Sequence, residues 1–268
     1  MSEFSGEHED DLRFLSEYPS CAFCLTRYVK WLFRQPSSIQ KDNDLLHAIS
    51  TKNTQGLELL EKQLLLVQLT LGKSLTEMSR TFGFGSDLLA ADPEKIHVVL
   101  AELWLVLILD KLGFTNIEKL PRFIKSGSNR LPIADFIAET KQTKCVIELK
   151  TIQRENSPKP EPGKIMGNSM KASWWRIMFR NNIRTKIEDK NRHAIKQLVN
   201  SLHHYNAGST ILAVFNRRMG PITLMNSHDF QEELRSIVAE YNEIDHILLF
   251  DSYNFDDGNP AVIEPPLD

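Results

Sequence analysis

Leu131-Pro-Ile-Ala-Asp135-Phe-Ile137 and Cys145-Val-Ile-Glu148-Leu-Lys150 are the two stretches whose reading decides the fold of this 268-residue chain. Both are short, apolar and flanked by polar residues, the pattern of β-strands in a covered sheet. Side chains alternate faces along a strand, so Glu148 and Lys150 project from one face while Ile147 and Leu149 project from the other. Between the strands, Glu139-Thr-Lys-Gln-Thr-Lys144 is polar and short enough for an antiparallel hairpin, which would bring Asp135 beside Glu148. Two carboxylates that close repel, and a divalent cation removes the repulsion.

Upstream lies Asp92-Pro-Glu-Lys-Ile-His-Val-Val-Leu-Ala-Glu102, running on through Leu109 to Gly113. Asp92 suits an N-cap, Pro93 the first helical position, Glu94 the positive end of the dipole and Gly113 the stop. From Ile96 to Leu109 the helix is apolar nearly all round, interrupted only by His97 and Glu102, which marks a core helix. A carboxylate there is costly unless something pairs with it. Arg122 and Lys111 are the cations at hand if its role is structural.

Pro132-x-x-Asp135 followed by Glu148-Leu149-Lys150 resembles the signature of the PD-(D/E)XK nuclease superfamily, with one extra residue between Pro and Asp. The preceding acid-bearing helix and the Gly113-Phe114 turn also fit. The resemblance implies that Asp135 and Glu148 hold Mg²⁺, with Mn²⁺ as a substitute, and that Glu102 is a third acid holding a second ion or positioning water. It gives Lys150 the role of orienting the attacking water and offsetting charge on the phosphate. Members also carry a Gln or Lys on the helix after the third strand, where Lys196 and Gln197 stand in order. Ile195, Leu198, Val199, Leu202 and Tyr205 make that helix's apolar stripe, which leaves Gln197 nearly opposite it and Lys196 at its margin.

Later segments keep the same order. A helix is expected over 191–205, a strand over 210–215, a helix over 228–241 and a strand over 246–250. The resemblance therefore implies an α/β fold with a restriction-endonuclease-like αβββαβ core and a mixed sheet over 92–268. Residues 1–91 differ in character. An acidic start is followed by helical patterns over 22–33 and 54–78, so a small helical module is expected there, with a boundary near 83–92. That module could bind nucleic acid, form a homodimer or cap the core.

The net charge of -3 conceals a strong asymmetry. Between Lys159 and Lys196, ten cations face three acids for a net of +7, which leaves -10 for the remainder. Lys171, Arg176, Arg180, Arg184 and Lys196, interleaved with Trp174, Trp175 and Phe179, suit phosphate neutralisation plus stacking on bases. The expected activity is a Mg²⁺-dependent endonuclease acting on nucleic acid, DNA before RNA, of restriction or defence type. The alternative is an inactive member of the fold that binds nucleic acid or protein. Cys21-Ala-Phe-Cys24 has half a zinc-knuckle spacing but reads better as two cysteines on a helix face. Three cysteines and no bilayer-length apolar run favour a reduced intracellular, cytoplasmic protein with no membrane partner.

Overall fold

The computed structural model describes residues 6–35, 44–84, 95–126, 128–152, 180–188, 194–216, 228–250 and 261–267. Two compact units emerge, Met1–Leu107 and Ile108–Asp268. The expected boundary segment falls almost wholly outside the described residues, as do Asp92, Pro93 and Glu94.

In the first unit the helices are α1 (Gly6–Ser16), α2 (Pro19–Leu32), α3 (Asp44–Ser50), α4 (Thr54–Leu71), α5 (Leu75–Phe82) and α6 (Lys95–Lys111), the last running into the second unit. Tyr18 gives α2 no side-chain cap. Glu61 of α4 supplies one instead, accepting from the N–H groups of Ser20 at 2.9 Å and Cys21 at 2.8 Å. Burial pulls the Glu61 carboxyl upward, but these bonds outweigh it and hold the group below the usual range. Cys21 and Cys24 are buried on α2, and burial, reinforced by Glu61, pushes the Cys24 thiol up to about 12. Such a thiol resists the deprotonation that a metal ligand needs.

The single helix expected over 54–78 is two. Gly72 takes a left-handed φ of +60° that ends α4, and Ser74 opens α5 with a reciprocal Ser74/Glu77 capping box. Ser74-x-x-Glu77 is a start signal legible in the sequence, though the leucine-rich pattern before it obscures the break.

The second unit is α/β with a mixed sheet. Its strands are β1 (Thr115–Lys119), β2 (Phe123–Ser126), β3 (Asn129–Pro132), β4 (Phe136–Glu139), β5 (Lys144–Ile152), β6 (Ser209–Asn216), β7 (His246–Phe250) and β8 (Ala261–Glu264). A helical run over 180–188, α7 (Ala194–Tyr205) and α8 (His228–Glu240) lie between the later strands. The six-stranded sheet has the order β1-β4-β5-β6-β7-β8, with β5-β6 and β6-β7 parallel and the other pairs antiparallel. Gly113 has a φ of +85° at the exit from α6, where a residue with a Cβ would be strained, and the chain turns there into β1. All residues of β6 are buried, the signature of a central parallel strand.

The expected strand over 131–137 is broken in two. Pro132 lacks the N–H that a central ladder requires, so the chain pairs up to it in a separate β2-β3 ribbon and re-enters the main sheet at Phe136. Asp135 stands at that re-entry. Strands β2, β3 and β8 are additions to the expected core. Among the described residues no helix is long and apolar enough to cross a membrane.

Candidate active site

Two neighbouring strands and one helix build the site. In the β4-β5 ladder Phe136 pairs with Ile147 and Ala138 with Cys145. Carried back one residue, that register sets Asp135 opposite Glu148, on the same face as Lys150. The Leu149 N–H donates to Asp135 Oδ2 at 2.9 Å, fixing one carboxylate oxygen.

Glu148 is 1 % exposed and Lys150 is 8 % exposed. Lys150 Nζ donates to Glu148 Oε1 at 2.6 Å and to Gln197 Oε1 at 3.1 Å. Glu148 Oε2 is buried without a hydrogen-bond partner. Burial pushes the Glu148 carboxyl well above its usual range, the charge of Asp135 pushes it further, and Lys150 opposes both without cancelling them. An orphaned oxygen on a buried carboxylate costs free energy that a positive ligand would recover. Two carboxylates are a hard-oxygen donor set of the kind that takes Mg²⁺ or Mn²⁺, so these residues fit such an ion.

Gln197 takes part through α7. The helix buries Ala194, Leu198 and Ser201, a narrower face than the expected stripe, while Ile195, Val199, Leu202 and Tyr205 are only half-buried. Small residues at 194 and 201 let polar neighbours bond the backbone just before Asp135. Gln197 Nε2 donates to the Ile133 carbonyl at 3.2 Å, Asn200 Nδ2 donates to the Pro132 carbonyl at 2.8 Å, and the Ala134 N–H donates to Ser201 Oγ at 2.7 Å. A wheel scored on hydrophobicity points away from this face, which explains why it turned Gln197 outward. Ser201 and Asn200 were missed for the same reason. Ser201→Ala should lower stability by about 1–3 kcal/mol, because the buried Ala134 N–H loses its acceptor. Urea denaturation checks this, with Ser201→Thr, which keeps a hydroxyl, as the comparison.

Other expected site residues are placed differently. Glu102 is buried on α6 in the first unit. Among the described residues no three of His, Cys, Asp or Glu gather as a group able to hold a metal ion, so the donors brought together are Asp135 and Glu148. Lys196 is exposed. Lys171, Arg176, Trp174, Trp175 and Phe179 lie outside the described residues. Arg180 and Arg184 face inward to α8 within the second unit. Arg180 pairs with Glu233 at 3.0 Å and with Glu240, and Arg184 Nε donates to Glu240 Oε2 at 2.9 Å. The Tyr241 hydroxyl adds a bond to Glu188 at 2.6 Å. These two arginines fasten the 180–188 helix to α8, and a phosphate would have to displace Glu240 to reach them.

No family model, curated protein or solved structure matches this chain in comparison.

Proposed function

We propose that this protein hydrolyses phosphodiester bonds in nucleic acid, DNA before RNA, using Mg²⁺ or Mn²⁺ on a restriction-endonuclease-like core. One observation carries the reading: a buried carboxylate, Glu148, has an oxygen with no partner, beside Asp135 and within 2.6 Å of a lysine anchored on its other side. Glu233, in its pair with Arg180, also has an oxygen without a hydrogen bond, so the weight falls on the second acid: at this site two carboxylates, Asp135 and Glu148, share one buried lysine. The element order α6, β1, β4, β5, α7, β6 supports the core assignment, since it reads helix, three strands, helix, strand once the β2-β3 ribbon and the 180–188 helix are set aside.

Asp135 and Glu148 would hold the cation, which when bound supplies a Lewis acid for the phosphoryl oxygen and lowers the pKa of water. Lys150 carries a fixed positive charge to the same face and offsets the charge that grows on the phosphate as the bond breaks. Gln197 accepts from Lys150 and donates to the Ile133 carbonyl, so the ammonium is held in place before substrate arrives. The Leu149 N–H keeps Asp135 turned to the same face.

The test is incubation of the full chain with plasmid, linear duplex, single-stranded DNA and RNA, each with Mg²⁺, Mn²⁺ or a chelator. Cutting with either ion is expected, absent in chelator and in Asp135→Ala. No cutting of any substrate, or equal cutting by Asp135→Ala, overturns the reading.

A further inference from the structure

From Lys119 to Pro132 the chain carries four cations and no acid, in a protein of net charge -3. Most of this stretch is the β2-β3 ribbon, which pairs Phe123 with Pro132, Ile124 with Leu131, Lys125 with Arg130 and Ser126 with Asn129. Directly opposed residues of an antiparallel pair share a face, so Lys125 and Arg130 sit side by side on the same face as Phe123. Like charges so placed destabilise a ribbon, and neither is relieved: Arg122, Lys125 and Arg130 are exposed, and none has a side-chain hydrogen bond or ion pair among the described residues. Phe123 is 51 % exposed next to them. An uncompensated repulsion and an uncovered aromatic persist together at a cost that a polyanion with apolar surface would remove.

The ribbon is also tied to the candidate site. Its last residue, Pro132, lies three positions before Asp135, and its carbonyl accepts from Asn200 on the helix that carries Gln197. The contrast with the 180–188 helix is direct, since Arg180 and Arg184 are paired with acids of α8.

We infer that the β2-β3 ribbon is a docking surface for duplex DNA, with Arg122, Lys125 and Arg130 on phosphates and Phe123 against the sugar–base edge. The inference rests on the proposed hydrolysis of nucleic acid and names the surface that presents substrate to that site. A two-stranded ribbon fits the major groove, about 12 Å wide. Single-stranded nucleic acid is instead held on several stacking aromatics, and the described ribbon has one.

Binding of a fluorescent duplex by the full chain in Ca²⁺, across a salt series, tests it. Arg122→Ala, Lys125→Ala and Arg130→Ala together should shrink the slope of log affinity against log salt by about 2 to 3. The melting temperature should not fall, because only exposed and mutually repelling cations are removed. Phe123→Ala should weaken binding about tenfold and leave the slope unchanged. An unaltered slope in the triple variant overturns the surface, as does a wild-type chain that binds no duplex, or one that prefers single strands or RNA with the slope unmoved. A slope that shrinks in a protein that never cuts supports the surface and overturns the hydrolysis reading alone.

Discussion

Glu148→Gln should abolish divalent-cation stabilisation and cleavage together, and should remove the pH dependence that Glu148 imposes. Mn²⁺ at a hundredfold excess over its dissociation constant should stabilise the wild-type chain by about 2.7 kcal/mol, and the variant by nothing. The folded Glu148 carboxyl titrates well above its usual range, with burial the main cause and Asp135 the second. Below about pH 4.3, the ordinary glutamate value, the acid is protonated in both the folded and unfolded chain and its burial costs little. As pH rises past that value the unfolded chain ionises first, so the contribution of Glu148 turns against folding until the folded group also ionises. In chelator, therefore, the stability of wild type relative to Glu148→Gln should decline from pH 4 to pH 8. With Mn²⁺ present that decline should vanish, since the ion requires the ionised carboxylate and its binding strengthens with pH. Thermal unfolding at several pH values, with and without Mn²⁺, measures all of this. A relative stability that rises with pH in chelator would contradict the buried, uncompensated carboxylate.

Lys150→Met should lower turnover by about 10²–10³ at saturating substrate, the loss expected when one preorganised positive partner is taken from a transition state. The carboxylate oxygens of Asp135 and Glu148 remain, so Mn²⁺ should still bind. Stability should fall by about 3–5 kcal/mol where Glu148 is ionised, because an ion pair buried on both sides loses one member. Lys150 opposes the upward shift of Glu148, so its removal sends that carboxyl higher still and the loss should shrink toward acid pH. Single-turnover rates and urea denaturation at pH 5 and pH 8 separate the two effects. Full activity with reduced stability would make Lys150 a structural counter-ion.

The alternation in Cys145-Val-Ile-Glu148-Leu-Lys150 was legible because strand geometry leaves one choice of face, and the polar spacer fixed the hairpin register. The late strands were legible as continuous apolar runs. Gln197 was not, since its placement follows from backbone acceptors at Ile133 and Pro132, which a side-chain pattern cannot register. Nor was the ribbon. Phe-Ile-Lys-Ser and Asn-Arg-Leu-Pro are too short to show period, and their pairing depends on a partner several residues away. The inward turn of Arg180 and Arg184 depends on Glu240, more than fifty residues later, a separation at which composition carries no information.

The tight β4-β5 turn has a consequence for how this molecule tolerates change in length. Thr140 and Thr143 close the turn through the Thr140 N–H to the Thr143 carbonyl at 2.8 Å, leaving Lys141 and Gln142 exposed at its tip. Gly208, at the entry to β6, has no room for a Cβ against the Thr143 hydroxyl. Extra residues spliced between Lys141 and Gln142 would extend into solvent, and a peptide tag or dye attachment site belongs there. One residue inserted a few positions later, within Lys144–Glu148, would invert the strand, turning Leu149 to the carboxylate face and driving Lys150 into the hydrocarbon side of the sheet. A deletion and insertion scan across 139–150 would therefore trace a sharp edge, permissive at the tip and lethal to the fold within the first turns of β5.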